Sequence, residues 1–274
     1  MSTLYLVATP IGNLEDITLR ALRVLREVSL IAAEDTRTTR KLLSHYEIKA
    51  RLTSYHEHNK AIKIPHILKA LREADVALVS ESGMPAVSDP GYDLVAAAAE
   101  AGVPVVPVPG PSAVVAALAV SGLPTRQFTY VGFLPRRRGE RHRLLSALVA
   151  QPQTIVAFES PHRLQAALSD LLAVLGDRRI AVCRELTKLH EEVFRGRISE
   201  AIAHFPEPRG EFTLVVAGAP QPAEATEAAA PTEDVLAELR QLREQGVAPR
   251  QAVTQVAQRL GLPRRQVYRL WLQL

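Results

Sequence analysis

Val76-Ala-Leu-Val-Ser-Glu-Ser-Gly-Met-Pro-Ala-Val-Ser-Asp-Pro-Gly91 is the stretch around which the rest of the chain is organised. Its first four residues are an unbroken apolar run, the pattern of a strand covered on both faces in a parallel sheet. The run stops at Ser80. A loop follows with Gly83, Pro85, Pro90 and Gly91 and with carboxylates at Glu81 and Asp89, and Tyr92–Ala101 then takes helical spacing. From Ser80 to Gly91 the connection has 12 residues, long for a link that ordinarily takes about two to six. In an open α/β sheet, ligands gather beyond the carboxyl ends of the strands. The loop is therefore expected to floor a binding site. Gly83 lets the backbone approach a ligand closely, and the prolines stiffen the loop around it.

Outward from this stretch, strand and helix patterns alternate. Strands are expected at Thr3–Thr9, Ser29–Ala33, Leu52–Tyr55, Val76–Ser80 and Val105–Val108. Between them, Thr18 can cap a helix through Val28, Glu34-Asp35-Thr36 starts a second, and Asn59–Arg72 gives a third. Such alternation calls for a mainly parallel sheet. Pro109-Gly110-Pro111-Ser112-Ala113 leads into an apolar helix, Ala113–Val120. Ser112 stands where free N–H groups and the positive end of the helix dipole can hold a carboxylate, as an amino-acid-like ligand would present. A plain capping serine fits the same motif.

Ser121-Gly122-Leu123-Pro124 reads as a hinge into a second α/β domain. Its expected strands are Thr129–Phe133, Thr154–Phe158, Ile180–Arg184 and Phe212–Ala217, with helices near Glu140–Ala150 and Pro161–Leu175 and a short antiparallel strand at Glu192–Arg195. Pro220–Pro231 is rich in Pro, Ala and Glu and lacks large apolar residues, a linker composition. Helical patterns return at Thr232–Gln245, Pro249–Leu260 and Pro263–Leu272. The expected division is thus 1–121, 122–219, a linker at 220–231 and a small helical domain at 232–274.

The 274 residues are 47% apolar and 23% charged, the balance of a globular protein in water. The apolar start, Leu4–Ala8, is too short to cross a bilayer and lacks a signal peptide's basic opening, so a cytoplasmic location without membrane contact is expected. One cysteine, Cys183, rules out an intrachain disulfide framework. The net charge of +4 is unevenly placed. Ala248–Leu274 carries five arginines and no acid, and Arg136–Arg143 carries five arginines against Glu140. Two basic patches on a nearly neutral body point to a polyanionic partner. In the tail, Ala252, Val253, Val256 and Ala257 give an apolar face and Gly261-Leu262-Pro263 a turn before Arg264, Arg265 and Arg269, the outline of a helix-turn-helix. Such a unit either lays basic side chains on nucleic acid or simply packs as a three-helix bundle.

Several familiar sites are absent from the sequence. There is no P-loop pattern, no Gly-rich dinucleotide fingerprint after the first strand and no Gly-x-Ser-x-Gly elbow. His56-Glu57-His58 has two histidines without a third ligand cluster, and no metal is expected. Seven motifs in order do match a family. They are Val-Ala-Thr-Pro-Ile-Gly-Asn ending at Asn13, Ala33–Arg37, Ser54–Asn59, Val108–Ala113, Gly132–Pro135, Glu159–Leu164 and Arg184–Lys188. Together they resemble the ribosomal RNA small subunit methyltransferase I family of the tetrapyrrole methylase superfamily, from about Leu4 to Gly218.

The resemblance implies two α/β domains with S-adenosylmethionine folded into the cleft between them, usually in a homodimer. It further implies 2′-O-methylation of a cytidine in the decoding region of 16S rRNA, within the 30S subunit. The donor is then expected against Pro10, Gly83, Met84, Val87, Ser112, Ala113, Phe158, Leu186 and Thr213. One departure stands out: the family pattern Asp-Ala-Gly-Thr-Pro is here Glu81-Ser82-Gly83-Met84-Pro85, so Met84 lacks a hydroxyl.

Methyl transfer from a sulfonium is an in-line displacement, in which the protein positions donor and acceptor and removes water. A ribose hydroxyl must lose its proton as it attacks, so a nearby base assists. Glu81, Asp89, Glu159, His162 and Lys188 all follow expected strand ends, and the catalytic expectation falls on Glu81, Lys188 and His162. Two other readings remain at this point: a methylase of a small tetrapyrrole, which the basic patches disfavour, and a DNA-binding regulator that uses the α/β body as a ligand sensor.

Overall fold

Five parallel strands, β1 (Leu4–Val7), β2 (Leu30–Ala33), β3 (Leu52–Ser54), β4 (Val76–Val79) and β5 (Val105–Val108), form the first sheet in the order β3-β2-β4-β1-β5. This is a computed structural model, and it describes residues 2–220, 232–260, 262–272 and 274. All four residues of β4 are buried, as an apolar run in a doubly covered strand requires. Ala77 and Val79 join one core, with helices α1 (Leu19–Glu27) and α2 (Thr36–His45). Val76 and Leu78 join the opposite core, with α3 (Lys60–Ala70) and α4 (Tyr92–Glu100).

The helix starts follow from their caps. Thr18 accepts a hydrogen bond from the Ala21 N–H at 3.1 Å, and Asp35 accepts one from the Arg37 N–H at 2.6 Å. In this strand order the chain leaves β1 toward one edge of the sheet and leaves β4 toward the other. The two loops part at the β1/β4 boundary, the switch point where open α/β sheets bind ligands. There Thr9 and Gly83 exchange backbone hydrogen bonds of 2.9 and 3.0 Å, tying the loops together.

After α5 (Ala113–Val120) comes a second five-stranded sheet. Its strands are β6 (Phe128–Phe133), β7 (Thr154–Glu159), β8 (Arg179–Arg184), β9 (Glu192–Arg197) and β10 (Phe212–Val216), in the order β6-β7-β10-β8-β9. The mainly parallel pairing expected of the first sheet holds there, but the second sheet is mixed. Only β6 and β7 run parallel, whereas β10 is antiparallel to both neighbours and β9 is antiparallel to β8. Helices α6 (Arg138–Leu148), α7 (Pro161–Leu175) and α8 (Ile198–His204) cover one face. The other face is covered by α5, whose Val114, Ala117 and Leu118 pack on Val156, Ala181, Cys183 and Val215.

Contacts divide the chain into a body, Met1–Gly218, and a second unit, Ala219–Leu274. The expected linker lies, from residue 221 on, outside the described residues, as does Gly261 of the expected turn. In the second unit α9 (Thr232–Glu244), α10 (Pro249–Leu260) and α11 (Arg264–Trp271) share one core. Ala252, Val253, Val256 and Ala257 form its α10 face, as the apolar spacing implied. Arg243 lies 6.0 Å from the Trp271 ring centre, a cation–π contact.

Candidate active site

Three loops of the first sheet meet strand ends of the second around a cavity of about 510 Å³. Ile11 follows β1, Glu81–Asp89 follow β4, and Ser112, Ala113 and Val114 open α5. Across from them stand Phe133, Phe158, Glu159, Ser160 and Pro161, with Glu211, Phe212 and Thr213 at the start of β10. Two contacts brace the facing walls. Ser88 Oγ and Tyr130 Oη share a hydrogen bond of 2.5 Å, and the Asn13 N–H donates to Thr187 Oγ1 at 3.0 Å. The floor loop is locally strained, with Ala86 at φ +67° and Ser88 at φ +68°, values that non-glycine residues rarely adopt.

The charge of the lining is one-sided. Glu34, Glu81, Asp89, Glu159 and Glu211 line the cavity, and no lysine or arginine is among its lining residues. Burial pushes Asp89 up to about 6, helped by the negative charge of Glu34. Burial likewise raises Glu34, against a hydrogen bond from the Glu81 N–H. Glu159 is buried at the end of β7. Its Oε1 accepts from the Ser160 N–H at 2.7 Å and pairs with Arg163 at 2.5 Å, while its Oε2 is buried with no partner among the described residues. Desolvation lifts its pKa as well. An orphaned carboxylate oxygen is costly unless something completes it. Ser112 is the N-cap of α5, yet its side chain makes no capping hydrogen bond, so the first turn of that helix keeps its N–H groups for a ligand.

Of the nine residues expected to hold a donor, Gly83, Met84, Val87, Ser112, Ala113, Phe158 and Thr213 line this one cavity. Pro10 is the neighbour of the lining residue Ile11, and Leu186 packs behind the cavity in the apolar cluster that includes Phe158. Glu81 lines the cavity and is exposed. His162 is exposed and outside the lining, one residue beyond Pro161. Lys188 is also outside it, held by Glu185 at 3.0 Å and Glu211 at 2.9 Å. Burial pulls its pKa down, but the two carboxylates outweigh burial and raise it. An ammonium held in this way keeps its proton, so its reach into the site is through Glu211. Neither His162 nor Lys188 is therefore placed to take a proton inside the cavity.

Sequence reasoning passed over Glu34, Phe133 and Glu211. Glu34 follows a strand end just as Glu81 does and was open to the same rule. Glu211 precedes its strand. It reaches the site because β10 runs antiparallel and pairs Phe212 with Glu159 at the carboxyl end of β7.

The family profile of the Tetrapyrrole (Corrin/Porphyrin) Methylases matches residues 3–202. Among curated proteins, the chain is 46% identical to the ribosomal RNA small subunit methyltransferase I of Halalkalibacterium halodurans, over 98% of this chain and 94% of that one. It is 48% identical to the protein of the same name from Synechocystis, over 100% and 99%. The Thermotoga maritima protein of that name is 53% identical over 221 residues, 99% of its own length but 80% of this chain. Among solved structures, the uroporphyrin-III-C-methyltransferase of Thermus thermophilus matches with a TM-score of 0.58 at 25% identity, over 79% of this chain and 94% of that one.

Proposed function

The chain belongs to the tetrapyrrole methylase family, in its ribosomal RNA small subunit methyltransferase I branch, and from that premise we propose that it methylates 16S rRNA with S-adenosylmethionine as donor. The acceptor in this reading is the ribose 2′-hydroxyl of a cytidine in the decoding region, presented by the 30S subunit to a cytoplasmic homodimer. The observation that carries the donor is the charge of the cavity: five carboxylates and no cation among its lining residues, in a chain whose net charge is +4. Such a cavity favours a cationic ligand and repels a phosphate chain. S-adenosylmethionine brings a methyl group on a positively charged sulfur, and that charge vanishes on transfer.

The chain's own residues supply the rest. The open first turn of α5 suits the donor's carboxylate, and Glu159 Oε2 suits an ammonium or hydroxyl donor. Gly83 and Met84 offer backbone groups, so the missing threonine hydroxyl at position 84 costs nothing that backbone contacts supply. Asp89 is the carboxylate we assign to taking the hydroxyl proton, because a base whose pKa approaches neutrality both stays ionised and accepts a proton readily. Glu34 and Glu81 beside it sustain that pKa, and Lys188 positions Glu211. The Ser88–Tyr130 contact holds the facing walls together, which favours the alignment of donor and acceptor that an in-line displacement needs.

Incubation of the full-length protein with methyl-labelled donor and, in parallel, 30S subunits, free 16S rRNA or a tetrapyrrole precursor tests this reading. Label in the 30S arm, resistant to alkaline hydrolysis at one cytidine, is the expected result. Label only in the tetrapyrrole arm, or in none, defeats it.

A further inference from the structure

Gly132, Phe133 and Leu134 lie where β6 slips its register against β7. The pairing runs to Tyr130–Val156 and resumes only at Phe133–Phe158. Gly132 absorbs the slip at φ +68°, a conformation that suits glycine. Two adjacent apolar side chains are thereby sent to different places. Leu134 is 2% exposed in the core under α6 and α7. Phe133 is 57% exposed while lining the cavity, its ring edge-on to Phe158 at 5.4 Å.

A single exposed apolar residue is ordinary. This one is set apart by the rigidity and charge of what carries it. The Leu134 N–H donates to the Phe158 carbonyl at 3.2 Å, and Arg163 Nη1 donates to the Leu134 carbonyl at 3.0 Å. Arg141 Nη1 donates to the carbonyls of Pro135 at 3.0 Å and Arg136 at 3.4 Å. Arg141 is itself buried and clamped to the buried Asp170, its Nε donating to Oδ2 at 2.8 Å. From this fixed arm Arg136 and Arg137 are exposed, and Arg136 has no carboxylate in salt-bridge range among the described residues. The boundary between an acidic interior and a basic exterior therefore falls at Phe133. A nucleic-acid strand meets that boundary favourably only with its phosphates outside and a base or sugar turned in.

We propose that Phe133 stacks an unpaired RNA base at the edge of the cavity while the adjoining phosphates rest on Arg136 and Arg137. This rests on the RNA-methylating reading above. Aromatic stacking binds any base through its π-face, whereas phosphate contacts release counterions, so the two are separable by salt.

The test uses full-length protein and a fluorescein-labelled, unstructured oligoribonucleotide followed by anisotropy across a salt series. Phe133→Leu should weaken binding about tenfold with an unchanged salt slope, while S-adenosylmethionine affinity by calorimetry stays within a few-fold. Arg136→Gln with Arg137→Gln should instead flatten the slope. Phe133→Trp, made together with Trp271→Phe so that it is the only tryptophan, should restore affinity and lose fluorescence as RNA saturates. Wild-type RNA affinity in Phe133→Leu, an unquenched Phe133→Trp at saturation, or a Phe133→Leu protein that loses donor affinity would each overturn the proposal, the last by making Phe133 a donor wall. Methylation of 30S subunits is followed alongside. Full methylation by Phe133→Leu defeats the stacking site alone, while no methylation by the wild type defeats the parent reading.

Discussion

Asp89 shares its cavity with Glu34 and Glu81, and its pKa of about 6 makes its charge responsive near neutrality. As a base it must be ionised, so methyl transfer is expected to fall as pH drops through about 6. Asp89→Asn should lower kcat by about 100-fold or more and remove that inflection while leaving donor affinity within a few-fold. A pH–rate profile on 30S subunits decides it; an Asp89→Asn profile that keeps the same inflection removes Asp89 from the role. The stability consequence has the opposite sign to that of a salt-bridged carboxylate. The folded state binds the proton more tightly than the unfolded chain does, so stability declines as pH rises from the ordinary carboxylate range to about 6 and is level above it. Asp89→Asn should therefore be the more heat-stable protein at pH 8 and lose that advantage at pH 4. Gly83 gives a second test. A Cβ there would stand 3.6 Å from Ile11 Cγ2 and from the Pro111 carbonyl, ordinary contact, but at φ +78°. Backbone strain thus adds to the filling of space near a ligand as a reason to expect damage from a side chain at this position. Gly83→Val should distort the Thr9–Gly83 pair and cut donor affinity at least tenfold in calorimetry. An unaltered affinity in a folded variant would take the donor away from that loop. Apart from Thr213, which the family resemblance supplied, the residues legible in sequence were those that follow parallel strands. Glu211 was not, since strand direction is decided by pairing partners far away in the chain.

At the scale of elements, the arginine-rich start of α6 shows what counting charges misses. In the sequence Arg136–Arg143 reads as one basic patch. In the structure Arg138, Arg141 and His142 all turn onto Asp170 of α7, at 3.2 Å, in a buried two-nitrogen pair and at 2.8 Å. That leaves Arg136, Arg137 and Arg143 outward, with Arg137 also near Glu140. A neutralisation of Arg136, Arg137 and Arg138 together would thus mix a surface effect with damage to the arm. Burial alone would raise the Asp170 pKa, but hydrogen bonds from His142 and Arg141 outweigh it and hold the pKa low. Its stabilisation is present above the ordinary carboxylate pKa and is lost as pH falls through the lower folded value. Asp170→Ala leaves Arg141 buried without its partner and should cost about 3–5 kcal/mol, read as a lower denaturant midpoint at pH 7. A loss under about 1 kcal/mol would mean the guanidinium finds water instead. Strand and helix positions were largely legible, because apolar runs and caps are local. The antiparallel placement of β10 and the existence of α8 were not, because neither leaves a local period long enough to read.

At the scale of the whole molecule, the body and the helical unit make separable claims. Every residue lining the cavity belongs to the body, and the Thermotoga maritima relative matches over 221 residues, about the body's length. Truncation after Ala219 should therefore leave S-adenosylmethionine affinity unchanged by calorimetry. We propose that the Arg-rich unit holds the subunit, so the same truncation should raise KM for 30S subunits several-fold and reduce its salt dependence. Unchanged KM would reduce the three helices to a packing role. A helix-turn-helix outline alone does not decide between these.

The place of β10 has a consequence for how the protein is made. Translation delivers the first sheet whole by Val108: its central strand β4 is the fourth made, and only the edge strand β5 follows it. The second sheet receives its central strand last: β7 and β8 have no partner between them until Phe212–Val216 emerges. Until then the facing edges of β7 and β8 wait unpaired, while the N-terminal half can already have settled. Glu211, Phe212 and Thr213 also complete the cavity wall. A nascent chain thus lacks one wall of the cavity until the body is nearly finished, and the last strand of the body to leave the ribosome is the one that completes it.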